Sequence, residues 1–254
     1  MKSGKVENYI SDKIEKEGAL LLSLLDPAKR AIEQPGKIAR AAEEAGADII
    51  LVGGSIGAQG QSLDELVKAL KENSSLPVVL FPGNIFTYSK YADAVYFMTL
   101  INARDVYWNS TVQIMGAGEA KKAGLESIPT GYVILEPGMT VGWISNANLV
   151  PRSRPDLAAA TALAGEYMGA RLIITDSGSG APEPAPLELI AAVKSVLTVP
   201  YFYAGGVKTP EQAYSTIKAG ADGIHVGTAI ETGNSENKLK ALAQAVKKAG
   251  KEKI

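Results

Sequence analysis

The chain has 254 residues, 46% of them hydrophobic and 21% charged, which supplies a sizeable apolar core and excludes a disordered protein. Twenty-six basic against twenty-seven acidic residues leave a formal charge of −1, so no broad field exists for nucleic acid or an anionic membrane, and any anionic ligand must be held locally. The absence of cysteine excludes disulfides and thiolate chemistry, and a single histidine, His225, disfavours a histidine-clustered metal centre or a Ser-His-Asp triad.

In chain order, the opening MKSGKVENYISDKIEKEG is charged and lacks the apolar core of a signal peptide. It is predicted to form an extra helix that closes the bottom of a barrel. No apolar run approaches the roughly 18 residues that span a bilayer, so a cytoplasmic, non-transmembrane protein is expected. Next, ALLLSLL ends at Asp26-Pro27 and is followed by the helical pattern PGKIARAAEEAGA. DIILV ends at Gly53-Gly54-Ser55 and leads to SLDELVKALKEN; PVVLF ends at Pro82-Gly83-Asn84. Only the twelve residues PGNIFTYSKYAD separate PVVLF from AVYFMTLIN, too few for a full outer helix and its turns. GYVILEPG, RPDLAAATALAGEYMGA, RLIITDSGSG, PLELIAAVKSVL, PYFYAGGV, TPEQAYSTIKAGA and GIHVGT continue the alternation. Ser62, Asp156 and Thr209 are candidate helix N-caps, the last with Pro210 at the favoured first position, and Gly46, Gly169 and Gly220 are candidate helix ends.

Eight short strands, apolar on both faces, alternate with helices and match one α/β domain over residues 1–254, a (β/α)₈ TIM barrel with the third outer helix missing. One echo runs through it: AGADIILVGGS at 45–55 and AGADGIHVGTA at 219–229.

In such barrels the loops after the strands build the site, and phosphate binds after strands seven and eight. Gly205-Gly206 and Gly227-Thr228 stand there, where glycine lets a backbone N–H approach phosphate oxygens. Ser177-Gly178-Ser179-Gly180 follows strand six as a third wall, with two hydroxyls, and Asp176 before it is placed to accept a proton from a substrate hydroxyl. Across the mouth, Asp26 and Ser55 are hard oxygen donors of the kind Mg²⁺ uses when a phosphorylated substrate and water complete its shell. The aromatic residues Phe86, Tyr88, Tyr91, Tyr96 and Phe97 lie where the missing helix would leave apolar surface, as a groove or as plain core. His225, inside strand eight, reads as a packed, hydrogen-bonded core residue; Trp108 and Trp143 read as packing or interface residues.

From LLSLLDPAK through DIILVGGSIG, PVVLFPGN and GYVILEPGMTVG to SGSGAP, AGGVKTP and VGT, the chain resembles the geranylgeranylglyceryl phosphate synthases, related to the bacterial heptaprenylglyceryl phosphate synthases. The resemblance implies a modified barrel without its third outer helix, and ether-bond formation between the 3-hydroxyl of sn-glycerol 1-phosphate and a polyprenyl diphosphate, geranylgeranyl diphosphate first, in archaeal ether-lipid synthesis. It implies Mg²⁺ at Asp26 and Ser55, glycerol phosphate at Ile174, Thr175, Asp176, Ser177, Gly178, Ser179, Gly180, Gly205, Gly206, Gly227 and Thr228, and a homo-oligomer, with transient membrane contact on product release. The chain departs from the family where tyrosine, leucine and glutamate usually precede this loop and Ile174, Thr175 and Asp176 stand instead. The carboxylate is a methylene shorter and an aromatic hydroxyl is gone, for which Tyr132 on strand five is the candidate replacement. Other phosphate-binding barrels remain as alternatives: an indole-glycerol phosphate synthase or sugar-phosphate isomerase type, disfavoured by the absence of lysine from all eight strands, or a non-catalytic barrel that binds a phosphorylated metabolite.

Overall fold

The computed structural model describes residues 3–27, 34–54, 60–84, 87–227 and 235–254. Eight parallel strands close into a barrel in sequence order: β1 (Leu20–Leu25), β2 (Ile49–Gly53), β3 (Val78–Phe81), β4 (Ala94–Leu100), β5 (Glu126–Ile134), β6 (Leu172–Asp176), β7 (Tyr201–Ala204) and β8 (Gly223–Val226). Strand alternation divides the apolar side chains into two cores. Leu20, Leu22, Ile49, Leu51, Val79, Tyr96, Ile174 and Phe202 fill the barrel, while Leu21, Ile50, Val52, Val78, Ile173 and Tyr203 pack outward under the helices.

The helices are α1 (Lys5–Glu17), α2 (Pro35–Glu44), α3 (Gly60–Asn73), α4 (Val112–Lys122, entered through a π-turn at Tyr107–Thr111), α5 (Met139–Ile144), α6 (Pro155–Tyr167), α7 (Leu187–Val196), α8 (Pro210–Lys218) and α9 (Ser235–Lys251). Between β3 and β4 no helix occurs among the described residues, so the outer ring has the expected gap. The predicted extra helix is α1, whose Val6 and Ile10 plug the bottom of the inner core. It is pinned from two sides: Val6 and Glu7 N–H groups each donate to the Glu126 carboxylate at 2.8 Å, and Arg171 grips Glu7 at 2.6 and 2.8 Å.

The repeated AGAD stretches mark a device at the bottom of the barrel. Asp48 accepts the Leu21 N–H of the preceding strand at 2.8 Å, and Asp222 accepts the Tyr201 N–H at 2.9 Å. A lysine meets each carboxylate from outside, Lys247 on Asp48 at 2.5 Å and Lys194 on Asp222 at 2.6 Å. Asp93 repeats the arrangement with Val78 N–H and Lys71. A buried backbone donor at a strand's start is thereby satisfied by a carboxylate that is itself paired.

Boundaries shift in three places. β5 begins five residues before GYVILEPG, at Glu126, and includes Pro129, which pairs with Phe97 and presents its carbonyl to the Arg171 N–H. Ser62 lies inside α3, and Arg154, with Pro155 after it, caps α6 in place of Asp156. Thr209 is the expected cap: its hydroxyl accepts the Gln212 N–H and the Gln212 side chain accepts the Thr209 N–H. Thr209→Ala is expected to lower stability by about 1 kcal/mol, measured as a shift in the denaturant midpoint with an unchanged slope.

Candidate active site

Asp26, Asp176 and the described glycine-bearing loops lie at the C-terminal end of the strands. There a trough of about 400 Å³ and a smaller cavity of about 250 Å³ adjoin, sharing Leu24, Phe81, Asp176 and Ser179 as common wall. The trough is lined by Asp26 and Gly54 on one side and by apolar residues including Tyr96, Phe97, Met98, Trp108 and Val141 on the other. Tyr96 belongs to the inner core, whereas Phe97, its neighbour on β4, faces outward, so the trough passes from the barrel mouth over its edge. Tyr88 joins the lining; Tyr91 does not and is exposed beside Lys90, and Phe86 lies outside the described residues. Trp108 is part of the trough, while Trp143 is 85% exposed.

The smaller cavity is lined by Ser179, Gly180, Gly205, Gly206 and Gly227, with Lys208, Lys238 and His225. This brings the three glycine-bearing loops together as expected. Thr228, like Ser55, lies outside the described residues. Lys208 and Lys238 escaped the sequence analysis. Lys208 follows AGGV directly and was legible there; Lys238 comes from α9, which no local pattern ties to the mouth.

On β6 the alternation assigns side chains to opposite sides. Ile174 points into the barrel core, a layer below Asp176. Thr175 Oγ1 lies 2.7 Å from Tyr201 Oη, and Ser177 Oγ lies 3.0 Å from Tyr203 Oη, both pairs buried on the outward side. Tyr203 Oη also accepts the Ala185 N–H at 2.6 Å, so these hydroxyls hold the β6 loop to β7. Of the two serine hydroxyls expected at the rim, only that of Ser179 lines the cavities. Gly178 is likewise committed, its N–H serving the carboxylate of Asp176.

That carboxylate is buried and tightly held. Tyr132 O–H donates to Oδ2 at 2.5 Å and Gly178 N–H donates to Oδ1 at 2.6 Å. A side chain at Gly205 would press on Oδ1, and Gly205 has φ +91°, where only glycine sits without strain. Burial pushes the Asp176 carboxyl above the usual range, and the two donors restrain that rise by favouring the charged form. Burial and the adjacent carboxylate hold the Tyr132 hydroxyl well above its ordinary value, so it stays a donor. Tyr132→Phe removes one stabilising donor, so the Asp176 carboxyl is expected to titrate at still higher pH, read from ¹³C-labelled aspartate NMR.

Asp26 stands against Gly54, where a Cβ would collide with its carboxylate. Gly54 thus makes room for the carboxylate itself, and a carboxylate lining the trough is a hard donor of the type a cation with phosphate and water ligands takes. Among the described residues no group of three or more His, Cys, Asp or Glu forms a metal cluster.

A closed parallel barrel with a glycine-lined, lysine-bearing cavity beside an apolar trough, meeting at one buried carboxylate, defines a phosphate-type (β/α)₈ barrel suited to an anion next to a long apolar group. The pattern of the PcrB family matches residues 12–246, and the chain belongs to that family. It is 49% identical over 247 residues to the geranylgeranylglyceryl phosphate synthase of Pyrococcus horikoshii, spanning 97% of each chain. With the enzyme of the same name from Methanothermobacter thermautotrophicus it shares 42% over 243 residues, 95% of this chain and 98% of the relative. Among solved structures, the (S)-3-O-geranylgeranylglyceryl phosphate synthase of Thermoplasma acidophilum in complex with sn-glycerol-1-phosphate superposes with a TM-score of 0.92 at 33% identity, covering 98% of this chain and all of that one. A thiamine phosphate pyrophosphorylase from Pyrococcus furiosus, at 17% identity and a TM-score of 0.60, covering 92% of this chain and 98% of its own, shares the fold alone.

Proposed function

We propose that the protein is a prenyltransferase joining the 3-hydroxyl of sn-glycerol 1-phosphate to C1 of a polyprenyl diphosphate, geranylgeranyl diphosphate first, with release of diphosphate, in archaeal ether-lipid synthesis. The observation that carries this reading is the place of Asp176, on the wall common to the glycine-lined cavity and the apolar trough. An acceptor anchored by its phosphate on one side and a donor chain lying in the other would meet there. The named relatives, and the glycerol phosphate in the Thermoplasma complex, support the assignment.

In this reading the loop glycines, with Lys208 and Lys238, bind the acceptor's phosphate and fix the direction of its 3-hydroxyl. The hydroxyl oxygen forms the new bond to C1 as the bond from C1 to the diphosphate oxygen breaks. Its proton passes to Asp176, whose raised basicity suits it better to the task than an exposed aspartate would be. Asp26, with Ser55, would hold Mg²⁺, which would offset the charge gathering on the leaving diphosphate. The trough covers the prenyl chain, each buried methylene contributing about 0.8 kcal/mol.

Among the described residues no helix is long and apolar enough to cross a membrane, and we place the protein in the cytoplasm. Exposed Val106, Ile114 and Trp143, on or next to the segments that line the trough, support a transient membrane contact during product release, testable by liposome flotation. Tyr167 and Met168, exposed at the end of α6, support a homo-oligomer, testable by light scattering.

The deciding experiment incubates purified protein with radiolabelled sn-glycerol 1-phosphate, Mg²⁺ and prenyl diphosphates of several lengths. Label extracted into solvent with the geranylgeranyl donor is expected, and none with any donor would overturn the assignment.

A further inference from the structure

We propose that His225 is a specificity-determining residue of the acceptor cavity, its Nδ1 hydrogen-bonded to the secondary hydroxyl of the bound glycerol phosphate. The inference rests on the cavity holding that acceptor.

His225 projects into the barrel from β8 and lines the small cavity with Gly205, Gly206 and Gly227, only 5% exposed. It pairs across the sheet with Ala204, immediately before Gly205, and so lies just beneath the glycine-lined wall. Its surroundings are aromatic: Phe81, Tyr96 and Phe202 have ring centroids 5.5, 5.8 and 5.9 Å away. In that apolar setting burial pulls its pKa down to about 3, so at working pH the ring is neutral and is no counter-ion for phosphate.

A neutral imidazole has one donor and one acceptor. Nε2 lies 3.5 Å from Tyr96 Oη, a hydroxyl that burial keeps protonated and that can either donate to the ring or accept from it. Nδ1 correspondingly carries the proton or a free lone pair. Nδ1 is fully buried and has no hydrogen-bond partner among the described residues. A buried ring nitrogen without a partner is costly and uncommon, and on a residue that lines a ligand cavity a ligand hydroxyl, which both donates and accepts, would supply that partner. The choice of oxygen follows from the other groups present. Glycine loops and two lysines serve the phosphate, and Asp176 serves the reacting hydroxyl. The acceptor's remaining polar group is its secondary hydroxyl, and a single neutral ring nitrogen on the cavity floor suits it.

The test uses sn-glycerol 1-phosphate and its analogue without that hydroxyl, 3-hydroxypropyl phosphate, titrated calorimetrically into wild type and His225→Phe. Wild type is expected to bind the analogue about tenfold to a hundredfold more weakly, and the variant to bind both alike. Because His225 is the only histidine, ¹⁵N-histidine NMR gives a second readout in the unmodified protein. The Nδ1 signal should move with sn-glycerol 1-phosphate and stay in place with the analogue. Wild type that binds both ligands equally, or a variant that keeps the discrimination, overturns the role of His225 while leaving the cavity's assignment intact. Wild type that binds neither ligand overturns both.

Discussion

Asp176→Asn is expected to lower turnover by about a hundredfold to ten-thousandfold while sn-glycerol 1-phosphate still binds. The amide keeps the size of the side chain and can still accept from Tyr132 or Gly178, so the wall between the two cavities survives. What it lacks is a lone pair basic enough to take the hydroxyl proton. The measurement is kcat beside a calorimetric Kd: a fall in kcat with an unchanged Kd supports the base, and unchanged turnover excludes it. The same geometry predicts little benefit from restoring the family's longer acid. Tyr132 Oη and Gly178 N hold the two carboxylate oxygens at 2.5 and 2.6 Å, and Oδ1 stands where only a glycine at 205 leaves it room. An added methylene would drive the carboxylate out of that seat. Tyr132, which pairs with Ile174 on the strand alongside, is the residue that presents a hydroxyl to this shorter acid.

Asp26→Asn should lower turnover by about a hundredfold to a thousandfold, with acceptor binding largely intact. Asp26 lines the trough and is absent from the lining of the small cavity, so loss of its charge should act on the donor's diphosphate alone. The check is kcat across a magnesium titration, with the acceptor Kd measured on the same preparation. A joint loss of turnover and acceptor binding would assign Asp26 a folding role, through its packing against Gly54.

Much of this architecture is present in local pattern. The strand tips at Asp26, Asp176 and Gly205-Gly206, the plug α1 and the gap after β3 all follow from apolar runs, helix spacing and connection lengths, which depend on residues close together in the chain. The start of β5 was hidden because Pro129 lacks the N–H of an interior strand and reads as a break. Even the AGAD echo was visible, though its use as a clasp between neighbouring strands was not. The direction of each hydroxyl on β6, the bond from Tyr132 to Asp176, the arrival of Lys238 from α9 and the bare nitrogen of His225 were settled only by the closed sheet. The physical reason is range. Periodicity and turn chemistry act within a few residues, so sequence alone determined which segments are strands and where the glycines fall. Barrel closure sets register between strands far apart in the chain, and register alone decided which side chains meet.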